Sequence, residues 1–109
     1  MTQWVASVIS NKLTTAMPVM THPGIEKNGN TVRQAVSNER VHFQAVHYLS
    51  SHYPTVGAAT IMDLTTEAEA FGAEIAFSDE AVPAVVGHLL DGPDDIERLK
   101  VPSLAAARI

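Results

Sequence analysis

Hydrophobic and polar positions alternate along this chain in blocks whose period changes repeatedly. Trp4, Val5, Val8, Ile9 and Leu13 recur at helical spacing, which predicts an amphipathic helix over residues 2–14. "AMPVMTH" (16–22) is a short apolar run, read as the start of a strand with Pro18 where no ladder donor is needed. "HPGIEKNGN" (22–30) gathers Pro23, Gly24 and Gly29 within a few residues and reads as a loop. A helical region follows from Thr31 to Tyr53, broken near Ser37–Asn38, with Asn38 as the N-cap of its second piece. On that piece Val41, Ala45, Val46, Tyr48, Leu49 and Tyr53 share one broad face; Phe43 falls outside it and calls for a second covering surface.

"TVGAATIMD" (55–63) is apolar without alternation, the pattern of a strand buried on both faces of a parallel sheet. "LTTEAEAFG" (64–72) reads as two to three helical turns, with Thr66 and Glu69 at capping-box spacing and Gly72 as its end. "AEIAF" (73–77) is a further strand, and "SDEAVPAVVGHLL" (78–90) is irregular or weakly extended. Asp91-Gly92-Pro93-Asp94-Asp95 opens a last helix that ends near Leu99. Helices alternating with strands predict an α/β fold with right-handed crossovers, without choosing between an open sheet and a barrel.

Composition narrows the function classes. The 109 residues suffice for one domain, and 46% hydrophobic against 17% charged residues reads as globular. Net charge is -5 and no stretch concentrates Lys or Arg, so no nucleic-acid partner is expected. With no cysteine, disulfides and thiolate metal sites are excluded from this chain. The opening residues lack the basic start and long apolar run of a signal peptide, and no run approaches a membrane span of roughly 18 residues. A cytoplasmic location and no membrane partner are the resulting expectations.

Asp63 is the leading candidate for chemistry. It ends an apolar strand and precedes a helix, and α/β folds bind ligands at the carboxyl ends of their strands. A carboxylate there can orient or protonate a substrate, yet aspartate is equally a favoured helix cap, and the pattern leaves both open. Glu67 and Glu69 read as first-turn acids stabilised by the helix dipole, with Glu67 also a candidate substrate contact. His22 and Gly24, in the loop after the first strand, are further candidates for substrate binding. His42, His47 and His52 are five apart and diverge around a helix, so no metal site is expected from them. No phosphate-binding glycine motif and no nucleophile elbow is present.

"IMDLTTEAEAFGAEIAFSDEAVPAVVG" and then "PDDIERLKVP" resemble the uroporphyrinogen decarboxylase superfamily. Carried over are the apolar strand ending in Asp63, the helix ending in Gly72, Glu74-Ile75-Ala76-Phe77, Pro83, and Asp94-Asp95-Ile96-Glu97-Arg98-Leu99. With "MPVMTHPGIEKNG" as the first strand and its loop, the resemblance runs from about Ala16 to Pro102. It implies the N-terminal portion of a (β/α)8 TIM-type barrel with parallel strands, incomplete in this chain, because such a barrel takes about 250 residues. It also implies that Asp63 matches the decarboxylases' active-site aspartate.

Two chemistries belong to the superfamily: decarboxylation of a polycarboxylate tetrapyrrole in porphyrin biosynthesis, and methyl transfer between a corrinoid and a thiol such as coenzyme M. True decarboxylases carry an arginine-rich "RQAGRY" after the first strand; this chain has "THPGIEKNG", without arginine. "EAEAFG" also looks more like the cobamide-dependent methyltransferase branch, so methyl transfer is the favoured expectation and decarboxylation the alternative. In that branch zinc is held by a histidine and cysteines from later in the barrel. The resemblance therefore implies no cofactor bound by this chain alone, with zinc and a corrinoid entering only in the complete enzyme. Partners would be a small-molecule or corrinoid-protein substrate, and either the rest of the barrel or another copy of the chain. A small non-catalytic α/β binding module is the third expectation.

Overall fold

The computed structural model describes residues 2–11, 14–103, 105–106 and 108. Five short α-helices are present among them: α1 (Thr2–Ser10), α2 (His22–Lys27), α3 (Val32–Ser37), α4 (Glu39–His52) and α5 (Thr66–Ala70). Two strands, β1 (Glu74–Ala76) and β2 (Ala84–Val86), and a 3₁₀ helix over Pro93–Arg98 complete the regular structure. Lys12 and Leu13, part of the helix expected over 2–14, lie outside the described residues.

The core sits where α2, α3 and α4 meet. Ile25, Val32, Ala35, Val36, Ala45 and Leu49 are buried, and Val41, Ile61 and Phe77 pack against the cluster partly buried. Residues 22–30 thus hold a helix where a loop was expected. Pro23 lies in the first turn, where its missing N–H is no loss, and Ile25 anchors the helix in the core. Gly24 lets α2 approach closely: a Cβ there would fall on the carbonyl of Ala45, with Leu49 Cγ 3.0 Å away.

The break at Ser37–Asn38 is as expected. Asn38 is extended, and its Oδ1 accepts from the N–H groups of Arg40 (3.0 Å) and Val41 (3.4 Å). Upstream, Thr31 and Gln34 form a capping box, Gln34 N–H onto Thr31 Oγ1 (3.2 Å) and Thr31 N–H onto Gln34 Oε1 (2.9 Å). The box expected at Thr66 and Glu69 does not form; Thr65 caps α5, without a side-chain bond to the helix. Phe43 has no second covering surface: it is 65% exposed and stacks on His47.

The expected parallel sheet is not present among the described residues. β1 and β2 form an antiparallel pair with Glu74 opposite Val86, Ile75 opposite Val85 and Ala76 opposite Ala84. The reason is connection length: residues 77–83 cannot make the crossover of a dozen or more residues that parallel strands need. Residues 16–22 and 55–63 form no ladder either; one backbone bond, Val56 N–H onto Ala16 O (3.3 Å), joins them. Residues 57–64 nevertheless alternate. Gly57, Ala59, Ile61 and Asp63 are half-buried, whereas Ala58, Thr60, Met62 and Leu64 are exposed, Leu64 by 78%. This segment was expected to be covered on both faces; helices cover one.

That open face is part of a wider excess of surface. The chain exposes 8270 Å², against about 5,900 Å² for a closed monomer of its mass. Its radius of gyration is 17.8 Å, against about 13 Å for a compact domain of this length.

Candidate functional site

Asp63 closes the half-covered extended segment, two residues before the cap of α5. Its Oδ1 accepts twice from Thr65, from the N–H at 3.0 Å and from the hydroxyl at 2.7 Å. Such a turn is what aspartate offers a chain about to enter a helix. The other oxygen, Oδ2, pairs with the guanidinium of Arg108, from 45 residues downstream. Arg108 also pairs with Glu69 and donates to Thr65 Oγ1 (2.8 Å), and its guanidinium carbon lies 4.7 Å from the centre of the Phe77 ring. The Arg108 side chain is 12% exposed, and its Nε is buried without a partner among the described residues.

Burial pushes the Asp63 carboxyl up. The Thr65 amide, the Thr65 hydroxyl and Arg108 together outweigh that, so its pKa lies below the ordinary 3.8 and it is ionised at neutral pH.

Beside this network opens a cleft of about 710 Å³, walled by the α3–α4 junction, the 61–70 segment and Pro102, Ser103 and Arg108. Glu39, His42, Asp63, Glu67 and Arg108 are its ionisable lining. His42 reaches across: the N–H of Ile61 donates to its Nε2 at 3.0 Å. A backbone amide can only donate, so Nε2 is unprotonated there and the ring proton sits on Nδ1. Burial holds the His42 pKa below its ordinary 6.5.

Of the residues singled out by sequence, the structure brings Asp63 and Glu67 together on this cleft, with Glu67 exposed and free to meet a ligand. His22 and Gly24 lie on α2 and do not line it, Gly24 being packed against α4. Arg108, His42 and Thr65 were not legible as residues of this network, and Glu69 was read only as a first-turn acid. Nothing in the sequence links Arg108 to Asp63, and His42 is one of three evenly spaced helix histidines. Among the described residues no group of three or more His, Asp or Glu side chains is placed to hold a metal ion, so zinc does not fit the residues present.

Asp63 thus closes an extended segment at the entry to a helix, beside an open cleft. The uroporphyrinogen decarboxylase (URO-D) family model matches residues 9–109, and the chain belongs to that family. No curated protein and no solved structure matches it.

Proposed function

We propose that this chain supplies the Asp63 wall of a URO-D-family active site serving methyl transfer between a corrinoid and a thiol, in preference to tetrapyrrole decarboxylation. The charge of the cleft supports this reading. Glu39, Asp63 and Glu67 line it, and Arg108, the one Lys or Arg among its described lining residues, is already committed to Asp63, Glu69 and Thr65. A polycarboxylate tetrapyrrole needs cations in place of its water, and the two carboxylates that Arg108 does not pair, Glu39 and Glu67, repel it. Asp63, ionised and held by Thr65 and Arg108, forms the fixed wall, and the exposed Glu67 beside it offers the acceptor that a ligand would meet. The zinc that would activate a thiol needs ligands beyond the residues described, and no step is assigned to it.

The surplus exposed surface supports reading the chain as an incomplete barrel, with the open face of residues 58–64 turned to where further strands would pack. Isothermal titration with hydroxocobalamin and with uroporphyrin tests the chemistry. Measurable binding of the corrinoid by the complete barrel, weakened by Glu67→Gln or Asp63→Asn, is the expected result. Tighter binding of uroporphyrin, lost in Asp63→Asn, would select decarboxylation.

A further inference from the structure

We infer that His42 is a positioning residue for Asp63, a latch that grips the backbone of the Asp63 segment when neutral and releases it when protonated. The inference goes beyond the functional reading and holds whichever chemistry the cleft performs.

The geometry rests on one long-range bond. His42 belongs to α4, which is anchored in the core through Ala45 and Leu49. Ile61 lies on the extended segment, which has no backbone ladder among the described residues. The 3.0 Å bond from Ile61 N–H to His42 Nε2 therefore stands where a neighbouring strand would otherwise hold that amide. Asp63 is the next residue on the same, helix-facing side of the segment. Fixing Ile61 fixes where Asp63 begins its turn onto Thr65.

The grip depends on the ring's protonation state. Nε2 accepts only when it carries no proton; the imidazolium has donors at both nitrogens, and the Ile61 amide then faces a donor. The charged and titratable groups facing His42 across the cleft are Glu39 from its own helix, Asp63 and Glu67 from the 61–70 segment, and Arg108 from the C-terminal segment. Burial and the Ile61 amide hold the ring neutral. Protonation costs the backbone bond and releases the Ile61 segment from α4.

The test is hydrogen exchange read by mass spectrometry on the 109-residue chain, at two concentrations so that protection from association is separated from protection by His42. Exchange at the imidazole C2 carbon gives the titration midpoint of His42. Amide exchange in a peptide spanning 59–64, corrected for the intrinsic pH dependence, gives the protection of Ile61. The expected result is a His42 midpoint below 6.5 and at least a tenfold loss of Ile61 protection across that midpoint. In His42→Gln, whose amide oxygen can still accept, protection should persist and lose its pH step; in His42→Leu it should be low at every pH. A midpoint at or above 6.5, flat Ile61 protection through the titration, or an unchanged step in His42→Gln would overturn the inference.

Discussion

At the scale of single residues, His42 and Asp63 both have depressed pKa values, and their contributions begin to fade at different pH. The folded pKa of His42 is depressed, so the unfolded chain binds the proton more readily. Stability from the neutral ring is complete above 6.5 and is lost as pH falls from there through the lower folded value. The Asp63 pKa is also depressed, so its contribution is present above 3.8 and is lost as pH falls through its folded value below that. Urea unfolding across pH should therefore show two steps, the upper absent in His42→Gln and the lower absent in Asp63→Asn. Removing the charge of Asp63 should cost roughly 1–2 kcal/mol, the worth of a charge-assisted hydrogen bond near a surface. Corrinoid binding should fall by more than that cost accounts for if Asp63 also meets the ligand; equal losses would leave it a structural turn alone.

At the scale of elements, the helix boundaries show what a sequence discloses. Asn38 was legible because an N-cap is a local device: one side chain meets amides two and three residues away. Asn38→Ala should lower stability by about 1 kcal/mol, read as a loss of melting temperature with α4 still formed. The helix over His22–Lys27 was hidden because Pro23 and Gly24 are loop residues by propensity, and only contact with α4 recruits them. Gly24→Ala should cost about 1–3 kcal/mol by forcing α2 off the Ala45 carbonyl, with little effect on corrinoid titration. Asp63 was legible from its place after an apolar run. Arg108 was not, since its meeting with Asp63 is set by tertiary structure 45 residues away. The strand period of 57–64 was masked because Gly57, Ala58 and Ala59 are too small and apolar to mark which face is wet.

At the scale of the whole molecule, the open face sets behaviour in solution. Met62 and Leu64 on the extended segment, and Val85 and Val86 on β2, are exposed apolar side chains. Among the described residues β1 and β2 pair only with each other, so each keeps a free edge there. Residues 1–109 should associate at micromolar concentration, and sedimentation velocity should show species larger than 11.7 kDa. A compact monomer with a cooperative thermal transition would instead favour a self-sufficient small module. The same surface has a calorimetric consequence. A chain that already wets some 2,400 Å² more than a closed domain has less left to hydrate when it unfolds, by about a fifth. At high dilution its heat-capacity increment and the slope of its free energy against urea should both be about a fifth below those of a closed domain of equal length. Both quantities should grow as the protein is concentrated, so the rise in slope measures how much of the open face has been covered.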